Sequence, residues 1–277
     1  MPQVLLITCQ DAVGLIHKIT GVLFSQNLNI VSNDEFVDSP SSRFFMRTEF
    51  TGEVEAKHLL GDLKSILPPD SDVRLASDAP KSIVVLAGRE PHCLGELLMR
   101  QCNGELKARI AAVLSNHSDL QALVERFQVP FHHVPALSED RLEHERLLRS
   151  TLQAYAPDYL VLAKYMRILS GNFISAFPKR IINIHHSFLP AFIGAQPYRQ
   201  AYNRGVKIIG ATAHFVTEAL DDGPIIVQNV LSVTHAHSAK SMAREGREIE
   251  KIVLARALTL VLEDRVFVSG NKTIIFE

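Results

Sequence analysis

The sequence predicts an α/β protein of two domains: a small ferredoxin-like α+β domain, then a larger doubly wound domain with a mainly parallel sheet. Three observations lead there. The first 80 or so residues set strand-length and helix-period apolar patterns in the order β-α-β-β-α-β. From about residue 82, continuous apolar runs alternate with helical stretches, the mark of parallel strands covered on both faces. Between the two, residues 76–81 (Ala-Ser-Asp-Ala-Pro-Lys) read as a small, polar linker around one proline. At 277 residues the chain exceeds the commonest single-domain size, so domains at 1–80 and 81–277 are expected.

Each element has its own signal. Val4 to Thr8 is a strand-length apolar run, and Leu15, Ile19, Val22 and Leu23 then recur on one helical face. Asn29–Val37 and Arg43–Phe50 read as strands separated by the turn-rich Asp38-Ser-Pro-Ser-Ser42. Leu59, Leu60, Leu63, Ile66 and Leu67 form a second helical stripe, stopped by Pro68-Pro69, and Asp72–Leu75 is the last strand of this set. In the second domain, Ile83–Ala87, Ile110–Leu114 and Tyr159–Ala163 are buried-strand runs. Helices are expected over Cys93–Cys102, Asp119–Phe127 and Ser138–Tyr155. Ile181–Ile184 is a further strand, and a long helix over Ser238–Leu262 precedes a terminal strand at Thr273–Phe276.

Composition narrows the function classes. With 47% hydrophobic and 21% charged residues the chain is an ordinary globular one, and a net charge of −1 supplies no general attraction to nucleic acid or anionic membrane. Neither is expected as a partner. Three cysteines without a CxxC pair suit a reducing cytoplasm, and no apolar run approaches the ~20 residues needed to span a bilayer.

The densest polar cluster in apolar surroundings is Ile181-Ile-Asn183-Ile-His185-His186-Ser-Phe-Leu-Pro190. On an extended strand, Asn183 and His185 share one side. An amide beside an imidazole suits attack on a carbonyl: the amide donates to a developing oxyanion and the histidine moves a proton near neutral pH. The same pair at a strand end also serves as a capping group. Farther on, Leu220-Asp221-Asp222-Gly223-Pro224 sets an aspartate on a constrained turn, either a surface turn or a carboxylate aimed at the histidine or at water. Twelve histidines invite a metal, but there is no HExxH and no cysteine cluster, and adjacent strand residues such as His185 and His186 point to opposite faces. No metal site is expected.

These segments, with Met166-Arg167-Ile168-Leu169-Ser170 ahead of them, resemble the core of the folate-dependent formyltransferase family over about residues 82–277. The resemblance implies a Rossmann-like formyltransferase fold with Asn183, His185 and Asp221 as the catalytic set, Asp221 being the aspartate that directly follows a leucine. It implies that Met166, Arg167, Ile168, Leu169, Phe173 and Ile174 hold the pterin, and that His186 supports or faces the substrate. His214 is read as a buried strand histidine nearby. The first domain is similar to an ACT domain, with Asp11, Gly14, Leu15, Asn29 and Ile30 at its ligand loop. That implies an amino-acid effector, such as glycine or methionine, and a homo-oligomer.

The fusion of the two, together with His185-His-Ser-Phe-Leu-Pro-Ala-Phe192, resembles the formyltetrahydrofolate deformylases. The implied reaction is hydrolysis of 10-formyltetrahydrofolate to formate and tetrahydrofolate, supplying formate for purine synthesis. The folate is substrate and product, and no cofactor is expected. The loop Ala87-Gly-Arg-Glu-Pro-His-Cys-Leu-Gly95 favours water as acceptor: Pro91 removes an N–H donor and Glu90 repels a phosphate, although Arg89 attracts one. A formyltransferase to a small amine, and a sensor that binds folate without turnover, remain as alternatives.

Overall fold

The computed structural model describes residues 2–77, 79–136, 141–191 and 196–277. Asp78 of the linker, the expected helix start at Ser138, and Phe192 lie outside the described residues. The chain divides into two compact units, Met1–Ala79 with Asp264–Ser269 and Ile274–Glu277, and Pro80–Glu263 with Gly270–Thr273. The C-terminal end therefore departs from the expected division: ten of the residues assigned to 81–277 cluster with the first unit.

In the first unit, β1 (Gln3–Gln10), α1 (Leu15–Ser25), β2 (Asn29–Asp38), β3 (Arg43–Thr51), α2 (Ala56–Ile66) and β4 (Asp72–Leu75) follow one another. They form an antiparallel sheet in the order β2-β3-β1-β4. Leu5, Ile7 and Cys9 of β1 pack against Leu15, Ile19 and Leu23 of α1 and Leu59 and Leu63 of α2. The alternate positions Val4 and Leu6, with Phe45 of β3, pack instead against Phe267, Ile274 and Phe276 near the C-terminus. Phe267 and Ile274 belong to a hairpin of β12 (Val266–Ser269) and β13 (Lys272–Ile275), and Phe276 follows it directly. The sheet is thus covered on both faces, which is why β1 reads as an unbroken apolar run and not as an alternating one. The sequence pattern showed the second hairpin strand and missed the first.

The second unit holds a seven-stranded sheet in the order β11-β10-β9-β8-β5-β6-β7. Its strands are β5 (Lys81–Ala87), β6 (Ala108–Ser115), β7 (Phe131–His133), β8 (Tyr159–Ala163), β9 (Ile181–His185), β10 (Ile208–Phe215) and β11 (Ile225–Ser232). The five from β7 to β9 run parallel, and β10 reverses direction. The helices are α3 (His92–Cys102), α4 (Gln121–Arg126), α5 (Arg141–Gln153), α6 (Gly171–Ser175), α7 (Pro197–Arg204) and α8 (Ala239–Leu262). Leu148 and Leu152 of α5 and Phe173 of α6 pack on Val84, Leu86, Leu114, Leu160 and Leu162 at one sheet face. Ser238 starts α8 with a reciprocal capping box, its hydroxyl taking the Ser241 N–H while the Ser241 hydroxyl takes its own.

Strand order reverses between β5 and β8: the chain steps outward from β5 through β6 and β7, then returns to build β8 and β9 on the other side. Open α/β sheets bind ligands at the carboxyl ends of strands at such a switch point. The loops after Ala87, Ala163 and His185 all leave from that edge.

Candidate active site

β9 carries Asn183 and His185 on its last turn of pleat, paired across to His214 and Thr212 of β10. The His214 Nδ1–H donates to the Phe215 carbonyl oxygen at 2.9 Å. A carbonyl only accepts, so the proton lies on Nδ1 and Nε2 is left as an acceptor. That nitrogen is 3.2 Å from Asn183 Nδ2, so it takes one amide N–H and fixes which way the amide faces. Burial holds the His214 pKa below its ordinary value, which keeps the ring neutral for this task.

Asp221 arrives from the loop after β10. Its own φ is 55°, in the left-handed region that Asp tolerates better than most residues. Two residues on, Gly223 is required by close approach, because a side chain there would collide with the Phe215 carbonyl. The result is an Asp221 Oδ1 at 3.2 Å from His185 Nδ1. Burial pushes the Asp221 carboxyl up, but the His185 hydrogen bond and ring charge outweigh it and hold the group below its usual range. His185 is 5% exposed, and its Nε2 has no hydrogen-bond partner among the described residues. The ring therefore has one nitrogen anchored on a carboxylate and the other available.

These three side chains line a cavity of about 340 Å³. Met166, Arg167, Ile168, Leu169 and Ile174 line it too, as does His186. Phe173 does not. It is fully buried in the core, with its ring 5.5 Å from that of Phe177, because α6 turns it under the sheet while Ile174 faces the cavity. Lys164, Tyr165 and Thr217–Ala219 also line the cavity and were given no role from the sequence, since they flank the recognisable positions and belong to no spacing rule; Leu220, which marked out Asp221, lines it as well.

His186 corrects a second expectation. The opposite-face rule fails there because β9 ends at His185; the two rings lie 5.2 Å apart, tilted by 37°. Burial, with Lys164 nearby, pushes the His186 pKa down to about 4, so it is a neutral imidazole at working pH. Two further histidines are engaged away from this cavity, His132 with Tyr155 and His237 with Thr234 and Glu245.

Among the described residues one group has metal-ligand atoms within mutual reach: His92, Cys93 and Glu250. Its chemistry fits a metal poorly. Glu250 already accepts from His92 and Tyr198, the Lys164 ammonium stands 3.2 Å away, and burial pushes the Cys93 thiol up, away from the thiolate a metal needs.

The expected effector residues are not gathered in the first unit. Gln10 pairs with Arg43 at one end of the sheet, where Asp11 and Gly14 follow, whereas Asn29 and Ile30 pair with Thr51 and Phe50 at the other. Seven strand steps, roughly 23 Å, separate them. Leu15 is a core residue of α1, its side chain spent on packing.

Known proteins with the same organisation exist. Residues 81–258 match the formyl transferase family, and residues 3–68 match the ACT domain. The formyltetrahydrofolate deformylase of Haemophilus influenzae is 54% identical over 273 residues, which cover 99% of this chain and 98% of that protein. The Bacillus subtilis formyltetrahydrofolate deformylase is 45% identical over 98% of this chain and 93% of its own length. A crystal structure of a formyltetrahydrofolate deformylase from Pseudomonas syringae pv. tomato superposes with a TM-score of 0.96 at 42% identity, covering all of this chain and 94% of that one. On similarity that runs through both units, the chain belongs to the formyltetrahydrofolate deformylase family.

Proposed function

We propose that the protein hydrolyses 10-formyltetrahydrofolate to formate and tetrahydrofolate, with Asn183, His185 and Asp221 doing the chemistry. The observation that carries this reading is the meeting of those three side chains, from two separate segments, on one 340 Å³ cavity. Apolar Ile168, Leu169 and Ile174 offer surface for a pterin, and the exposed Met166, Ile168 and Leu220 extend it outward. Water adds to the formyl carbon and gives up a proton toward Asp221. The oxyanion takes hydrogen bonds from the free Asn183 N–H and from His185 Nε2–H. His185 then delivers its Nε2 proton to the leaving amine, the C–N bond breaks, formate departs with its acid proton lost to solvent, and the proton held by Asp221 passes back to His185. Asp221 holds the imidazolium in place through Nδ1.

A second reading, transfer to an amine, draws on a neighbouring cavity of about 410 Å³ that shares Lys164, Met166 and His186 with the first. Its lining sets four cations, Lys164, Arg199, Lys240 and Arg247, against two carboxylates, Glu90 and Glu250, so charge alone does not decide against an anionic acceptor. Formate release by the purified protein, in single turnover with and without added amines, separates the two. Release without any amine, lost in His185→Ala and Asp221→Ala, supports hydrolysis. Folate binding with no formate at any pH would make the chain a sensor.

The same reading places the enzyme in the cytoplasm, on three free cysteines, with its formate feeding purine synthesis. Among the described residues no helix is long and apolar enough to cross a membrane. An amino-acid effector at the first unit and a homo-oligomer complete the proposal. Thermal shifts with glycine and methionine, and sedimentation, test them.

A further inference from the structure

Two carboxylates in the second unit are buried without lining the 340 Å³ cavity: Glu145 on α5, 4% exposed, and Glu250 on α8, 0% exposed. They hold opposite ends of one segment. Glu250 Oε2 lies 3.2 Å from Lys164 Nζ, and its carboxylate also accepts from His92 Nε2 and the Tyr198 hydroxyl, each at 2.7 Å. Glu145 Oε1 accepts the Ser170 N–H at 2.6 Å and its Oε2 accepts the Ser170 hydroxyl. Between these anchors, residues 165–169 all line the cavity.

The segment needs holding. Lys164 and Met166 have φ of 58° and 57°, a left-handed backbone that non-glycine residues keep only where their surroundings over-determine it. Further restraints act along it. Tyr165 Oη lies 2.7 Å from Nε2 of His144, the neighbour of Glu145 on α5, and the chain at Gly88 passes so close to the Lys164 carbonyl that any side chain there would collide. A buried Lys–Glu pair is a poor source of net stability, because desolvation of both charges consumes the attraction. What such a pair does supply is a defined geometry for the loop it terminates.

We propose that Glu145 and Glu250 are positioning residues for the folate: they clamp residues 164–170 from both ends, so that the pterin surface is preformed before substrate arrives. This rests on the reading of the cavity as the folate site. Neither carboxylate lines the 340 Å³ cavity, so their loss weakens binding and leaves the chemical step intact.

The test uses Glu145→Gln, Glu250→Gln and Ser170→Ala. Gln at 250 keeps one oxygen to accept from the Tyr198 hydroxyl and offers an NH2 to His92 in its other tautomer, while it removes the anion opposite Lys164. For each variant kcat and KM are measured with 10-formyltetrahydrofolate, and the Kd for tetrahydrofolate is measured by calorimetry. In both Glu→Gln variants KM and Kd are expected to rise together by about tenfold or more while kcat stays within about threefold, the pattern of lost uniform binding. Ser170→Ala gives a smaller rise of the same kind. Unchanged KM and Kd overturn the clamp even if melting temperature falls, and so does a kcat that drops as far as KM rises. Should a Glu→Gln variant not fold, Ser170→Ala and the remaining variant decide on the same criteria. A wild-type protein that binds no tetrahydrofolate removes the folate reading and the clamp with it, whereas normal wild-type binding with unaffected variants removes the clamp alone.

Discussion

At the scale of single residues, the site is a set of small electrostatic decisions. His214 gives its Nδ1 proton to a carbonyl and so turns a neighbouring amide; Asp221 accepts from one histidine nitrogen and so leaves the other for substrate. Replacing Asn183 by Ala removes one oxyanion donor and is expected to lower kcat by about a hundred- to a thousandfold, measured by formate release. Asp221→Asn keeps the shape and removes the charge that orients His185; a loss on the order of a thousandfold or more is expected, with the fold intact by circular dichroism. The two-residue strand period put Asn183 and His185 on one side without assigning them a role, and the turn left two aspartates open; the catalytic set, with Asp221 in it, came from the family resemblance. His186 was expected at the substrate and does line the cavity, but the opposite-face rule misplaced it relative to His185, because the strand stops one residue before it. Lys164 and Glu250 look like ordinary surface charges in a loop and a helix. Their burial exists only once α3, α7, α8 and β8 converge, which no local pattern encodes.

At the scale of elements, strands with long apolar runs and helices with clean stripes were readable, and short or borrowed pieces were not. β7 has three residues and α6 has five, too few to show a period. The terminal hairpin is the borrowed piece: its apolar residues say that it is buried, and nothing local says against which sheet. Phe45→Ala takes a ring out of the cluster with Phe267 and Phe276, where the Phe45 and Phe267 ring centroids are 5.7 Å apart. A loss of about 3–5 kcal/mol is expected in urea denaturation. For α8, Ser238→Ala removes the capping box at an expected loss of about 1 kcal/mol, read in the same way.

At the scale of the whole molecule, acid is the condition to which the fold is most exposed. His186 has a folded pKa of about 4 against an ordinary 6.5, so between those values the unfolded chain binds the extra proton and stability falls as pH is lowered. Glu250 is depressed to about 2 from 4.5, despite burial that pushes it up, by hydrogen bonds from His92 and Tyr198 and the charge of Lys164. Its contribution is complete above 4.5 and is lost as pH falls toward 2. Scanning calorimetry should therefore show a melting temperature that declines from pH 6.5 downward. His186→Gln should flatten the upper part of that decline, and Glu250→Gln chiefly the part below 4.5.

The order of translation meets an obstacle in this architecture. The strands made first wait for residues 264–269 and 274–277 before their outer face is covered. At roughly 5–20 residues per second, the intervening stretch takes on the order of ten to forty seconds to leave the ribosome. Throughout that interval Leu6 and Phe45 of the nascent chain face water or a chaperone. A fragment cut at the linker inherits the same bare surface, so the first unit made in isolation should aggregate unless the last fourteen codons are fused back onto it.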